Sequence, residues 1–184
     1  MIKKLLIFSS FALLLISCGG SSETKLVASL NINDLEESKS EFIECKNSAV
    51  EKHTCKEFVA AAFSKYYGYE LKGDDKLFLP YDEILDFVNE SGDWEELGAA
   101  NDQLVLNKAQ DNANNGIGTL ALSTKGSKTV ATVINGKLSH SNSLGLDCPS
   151  VTVFRPRKFN KSFVGKGINY AWSDLSDVKL YSLK

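Results

Sequence analysis

A cysteine at the start of an amphipathic helix is equipped to act as a nucleophile, and the sequence places Cys55 in that way. From it the apolar positions run Cys55, Phe58, Val59, Ala62, Phe63 and Tyr66, the i, i+3, i+4, i+7 stripe of a helix packed on a core. Thr54-Cys55-Lys56-Glu57 matches a capping box, which predicts Thr54 as the N-cap and Cys55 as the first helical residue. A thiol there feels the positive end of the helix dipole, which lowers its pKa and favours the thiolate. The unpaired N–H groups of the same turn can hold an oxyanion. Together these are the requirements for attack on an amide carbonyl, provided that a base takes the thiol proton. The competing reading of Cys55 is a small apolar residue buried at a helix end.

Two histidines are available as that base. His140 lies in Gly136-Lys137-Leu138-Ser139-His140-Ser141, on a predicted strand, and is the candidate partner of Cys55. Its alternative role is a hydrogen bond to the neighbouring serines near a turn. His53 stands two residues before Cys55 and is read as facing solvent. No metal-ligand spacing and no glycine-rich phosphate loop occurs, so the sequence implies neither metal nor cofactor. A formal charge of −2 and a pI near 5.7 give no electrostatic footprint for nucleic acid. Arg155-Pro156-Arg157-Lys158 with Lys161 and Lys166 forms a basic cluster suited to acidic groups of a stem peptide or wall polymer. Trp94, Tyr170 and Trp172 are candidate groove residues, although such residues in strands more often serve as packing.

The elements that would carry these residues change period along the chain. Pro80 to Val88 reads as a short helix with Ile84, Leu85 and Val88 on one face, and Asn107 to Asn114 as another. After Gly116 the pattern becomes strand-like, with Gly118 to Leu122, then Thr129 to Ile134, an Asn135-Gly136 turn and Lys137 to Ser141 as a hairpin. Val151 to Phe154, Ile168 to Trp172 and Val178 to Leu183 are further strand candidates. Helices first and strands afterwards predict an α+β fold, with N-terminal helices packed on an antiparallel sheet.

The N-terminus resembles a bacterial lipoprotein signal peptide. Met1-Ile2-Lys3-Lys4 is a short basic start, Leu5 to Ile16 an apolar run, and Leu15-Ile16-Ser17-Cys18 is similar to a lipobox. The resemblance implies cleavage after residue 17, a lipid on Cys18 and export. Gly19 after that cysteine implies, by analogy with enteric lipoproteins, the outer membrane facing the periplasm. Residues 18–33 then form a polar tether and residues 34–184 one domain; the 43% hydrophobic content of the whole chain suits a protein with a packed core. With Cys18 lipidated, Cys45, Cys55 and Cys148 remain in a compartment where disulfides persist. The division that spares a nucleophile is a Cys45–Cys148 bridge with Cys55 reserved, and Cys45–Cys55 stays open as the alternative.

A cysteine opening a helix that precedes an antiparallel sheet resembles the papain-like cell-wall amidases and endopeptidases of the NlpC and CHAP type. The residues concerned are Cys55-x-x-Phe58-Val59, Gly118-Thr119-Leu120 and Val130 to Lys137. The first family of type VI secretion amidase effectors is similar over residues 42 to 184, through Cys45-Lys46-Asn47-Ser48, the Cys55 to Ala62 helix, the Val130 to Gly136 strand and Tyr181-Ser182-Leu183. The resemblance implies a histidine immediately before the Val-Ala stretch, where this chain has Thr129 preceded by Lys128. The small pair after the nucleophile is replaced by Lys56-Glu57. Two functions follow as expectations. One is a catalytically silent envelope lipoprotein that binds peptidoglycan or a periplasmic protein. The other is a cysteine amidase acting on stem peptides, with Cys55 as nucleophile and His140 as an unusual base.

Overall fold

The computed structural model describes residues 28–48, 54–75, 77–126 and 128–184. Cys18, the tether as far as residue 27 and His53 lie outside the described residues. The first element, α1 (Ile32–Ser48), begins inside the segment read as tether and buries Leu35, Ser38 and Phe42. Helix α2 (Phe58–Tyr67) follows, and the predicted stripe is its inner face: Val59, Ala62, Phe63 and Tyr66 are buried. It stops at Gly68, whose left-handed backbone (φ 69°) lets its N–H donate to the Ser64 carbonyl. Helix α3 (Ile84–Glu90) buries Ile84 and Val88, as the periodicity required.

Among the described residues, eight strands and helix α4 make up the remainder. They are β1 (Trp94–Ala99), then α4 (Gln103–Asn114), β2 (Thr119–Ser123) and β3 (Val130–Val133). After these come β4 (Ser139–Ser141), β5 (Leu146–Cys148), β6 (Ser150–Val153), β7 (Phe163–Gly167) and β8 (Val178–Leu183). Six of them form one antiparallel sheet in the order β1-β8-β2-β3-β6-β7, and β4 and β5 form a separate ribbon. The α+β class is therefore what the sequence predicted.

Both faces of the sheet are covered. Strand β2 is buried along its whole length, and alternation sends its side chains into two different cores. Leu120 and Leu122 join α1, α2 and α3, whereas Ala121 joins Leu106, Ala109 and Ala113 of α4. In β8 Tyr181 and Leu180 divide in the same way. The molecule is thus a sheet between an α1–α2–α3 layer and an α4 layer. Gly118 shows how tightly the first layer seats, because a Cβ there would lie 2.7 Å from both the Phe63 ring and Leu183.

Two expectations about strands are corrected. The Asn135-Gly136 turn does not close a hairpin between β3 and Lys137 to Ser141; β3 pairs with β2 and β6 instead. Polar anchors divert the chain there. Tyr66 donates its hydroxyl hydrogen to Asn135 Oδ1 (2.7 Å), and the Gly136 N–H donates to Asn114 Oδ1 (2.8 Å). The buried Gln110 donates to the Ile134 carbonyl and accepts from the Ser150 N–H. Residues 168–172 form no strand: β7 ends at Gly167 and Ile168–Tyr170 is a 3-10 turn, held by the Ala171 N–H on the Ile168 carbonyl.

Candidate functional site

Cys55 sits in a 3-10 turn, Thr54–Lys56, ahead of α2. It is not the first helical residue. The residue before α2 is Glu57, which has helical dihedrals (φ −82°, ψ −14°) and makes no side-chain capping bond, so the helix start expected at Thr54 and Cys55 moves to Glu57 and Phe58. Cys55 is instead joined to Cys45, with an S–S distance of 2.02 Å, and is 1% exposed. The bond links the last turns of α1 to the approach to α2. This corrects the Cys45–Cys148 pairing in favour of the alternative left open. It also removes the chemistry expected of Cys55, since a sulfur held in a disulfide is neither a thiolate nor a proton donor.

Cys148 is the free cysteine among the described residues, and it is buried on β5. Burial pushes its thiol up, against the opposing hydrogen bonds from the Asn169 backbone and the Ser141 side chain. Such a thiol is protonated and unreactive at neutral pH.

His140 is on the ribbon. It stands in register with Asp147, and its Nδ1 lies 2.9 Å from Asp147 Oδ1. Both side chains are more than half exposed, at 59% and 54%. The ribbon packs on the α4 side: Gln103 of α4 donates to the Asp147 carbonyl and accepts from the Asp147 N–H, and Cys148 belongs to the α4 core. Cys55 belongs to the other core. The sheet therefore stands between the two residues proposed as a nucleophile–base pair, and the structure does not bring them together.

A cleft of about 600 Å³ opens where β3 starts. One wall is the turn into α3, with Tyr81, Asp82, Glu83 and Asp86; the other is the segment after β6, with Arg155 to Lys158. Lys128, Thr129 and Phe154 lie between them. The cleft borders the Cys55 turn, because the Tyr81 N–H donates to the Lys56 carbonyl and Lys56 Nζ reaches Asp82 Oδ2 at 2.8 Å. Lys128 ties the acidic wall to β3, donating to the Asp82 carbonyl (2.7 Å) and standing 3.3 Å from Asp86.

Charge is distributed unevenly over these groups. Burial pushes the Asp82 carboxyl up, but the hydrogen bond from Lys56 and the charges of Lys56 and Lys128 outweigh it and hold the group below its ordinary value. Asp82 is thus ionised, with its own backbone N–H adding to the bond from Lys56. Arg155 is committed to structure, donating to the Tyr170 and Ala171 carbonyls at 2.7 and 3.0 Å. Arg157 and Lys158 are exposed on the cleft's rim.

The basic run was legible in sequence; the acidic wall facing it was not singled out. Its signal was the run Asp82-Glu83 with Asp86 one helical turn on. The aromatic trio does not form one groove. Trp94 is buried against Phe63 and Tyr69, Trp172 donates to Ser123 Oγ beside the α4 core, and Tyr170 is exposed under Lys166. Among the described residues no three acidic, histidine or cysteine side chains are grouped to hold a metal, and no helix is long and apolar enough to cross a membrane. Neither the known family models nor the curated proteins match this chain.

Proposed function

We propose that this chain is an envelope lipoprotein with a degenerate papain-like, amidase-type domain, which binds peptidoglycan or a periplasmic protein in the cleft beside Lys56 and Thr129 without cleaving it. The lipid on Cys18, the outer-membrane address and the NlpC/CHAP kinship all belong to this reading. They rest on the lipobox-like Leu15 to Cys18 stretch and on the residues quoted for the resemblance.

One observation carries the loss of catalysis: Cys55 is closed in a disulfide with Cys45. Thr129, half-buried in the cleft, stands where the resemblance requires the base, and His140 lies across the sheet. Thiol catalysis needs nucleophile and base in one site, and losing one costs nearly as much rate as losing both. What is retained is a concave surface with charged and apolar lining, which is the material of a binding site.

The test is incubation of the purified protein with defined muropeptides, before and after reduction, beside Cys55→Ala. The expected result is no cleaved product in any sample and equal retention of wild type and variant on peptidoglycan sacculi or on a captured periplasmic partner. A product formed by the wild type and missing from Cys55→Ala would overturn the reading and restore the amidase.

A further inference from the structure

The cleft presents opposite charges on its two walls that do not satisfy each other. Glu83 on one side, and Arg157 and Lys158 on the other, make no ion pair within 4.0 Å among the described residues. On the acidic wall Lys56 takes up Asp82 and Lys128 takes up Asp86, which leaves Glu83 exposed. Tyr81 adds a ring to the acidic wall, and the nearly buried Phe154 ring lies between the walls.

We infer that the cleft binds a short zwitterionic peptide, its ammonium group on Glu83, its carboxylate on Arg157 and Lys158, and its middle against Tyr81 and Phe154. A polyanion would meet the acids of one wall and a polycation the bases of the other, so the pattern selects a ligand with one charge of each sign at its ends. The volume of about 600 Å³ is that of a small-ligand site. Lys56 and Lys128 hold the acidic wall in place and leave Glu83 outside their ion pairs. The inference rests on reading the chain as a binding protein and names the ligand class of its cleft.

The test uses the full chain, purified, and trialanine in three forms: both ends free, N-acetylated, and C-amidated. Binding is read by calorimetry and by chemical-shift changes at residues 81–86 and 155–158. Blocking either end is expected to weaken binding roughly tenfold, the size of one lost charge-assisted contact. Glu83→Gln is expected to weaken the free and C-amidated peptides but not the N-acetylated one further, and Arg157→Gln to show the mirror pattern. These are surface substitutions, so the fold is not at stake. Equal binding of the three forms, no binding of the free form, or shifts confined to other residues would overturn the inference. Sacculus retention separates the two readings. Sacculi held by a protein that ignores trialanine sink this inference alone, whereas a protein that binds trialanine but neither sacculi nor any periplasmic partner sinks the proposed function and leaves the ligand class standing.

Discussion

Where the sheet faces α1 and α2 it meets rings, among them Phe42, Phe63, Tyr66, Tyr67, Trp94 and Phe154; where it faces α4 it meets methyl groups, from Ala100, Ala109, Ala113, Ala121 and Ala131. Small residues let α4 approach closely enough for Gln110 to reach the backbone at the ends of β3 and β6. Rings fill most of the other layer, and there the chain adds a covalent link from α1 to the turn before α2. The cleft opens at the margin of the ring-lined layer, not of the close-packed one.

The sharpest way to break that contrast is to empty the ring-lined core. Phe63 is fully buried, 5.0 Å from the Tyr67 ring and 5.7 Å from Trp94 by ring centroids. Phe63→Ala is expected to cost about 3–5 kcal/mol in urea unfolding. A loss below about 1 kcal/mol would mean that this layer is loosely packed and that the rings do not hold it. The covalent link ranks next. Its two cysteines are 10 residues apart in sequence, and opening so short a loop by the pair Cys45→Ser, Cys55→Ser should cost about 3 kcal/mol in the chain-entropy model. Hydrogen exchange should rise first in α1 and α2 while α4 and β3 keep their protection. Equal loosening on both sides would deny the division into two layers.

Overpacking probes the other face. Ala131 is fully buried in the α4 core, so Ala131→Leu should cost about 1–3 kcal/mol by forcing α4 outward. The volume-conserving Leu120→Met on the opposite face should cost less than about 1.5 kcal/mol. If the larger side chain at 131 were tolerated as easily, close packing would not be what distinguishes the two sides.

What could be read in the sequence follows the same division. The α2 stripe, α3, β2, β6 and β8 were legible because each has its own local period, and the layer they build was legible as α+β. The start of α2 was not: the Thr54 to Glu57 signal sets it three residues early, where the chain forms a 3-10 turn that carries the Cys45–Cys55 bond. Three cysteines gave no means to choose their pairing, and the wish to keep Cys55 free pointed to the wrong partner. The Asn135-Gly136 signal marked a real change of direction, but side chains of Tyr66, Asn114 and Gln110, remote in sequence, decided where the chain went next. The cleft was half legible. Its basic wall is one continuous run, whereas its meaning comes from an acidic turn brought opposite by the fold.

The smallest expected effect is at that acidic turn, and it tests whether the cleft's charges belong to the ring-lined core or only border it. The Lys56–Asp82 pair is about one third exposed on each side, at 35% and 33%, so solvent screens it and its contribution to stability is small. The Asp82 carboxyl is held below its ordinary value of 3.8. Stability from a depressed carboxyl is present above that unfolded value and is lost as pH falls through the lower folded one. For Lys56 the hydrogen bond to Asp82, against the opposing effect of burial, raises the amine above 10.5, so its share is present below 10.5 and lost as pH rises through the raised value. Asp82→Asn should therefore change neutral-pH stability by less than any of the core substitutions, weaken further in its effect with added salt, and flatten the acid limb of the stability curve below about pH 3.8. Asp82→Asn with a cost as large as Phe63→Ala would show that the acidic wall is part of the core and does not merely border it.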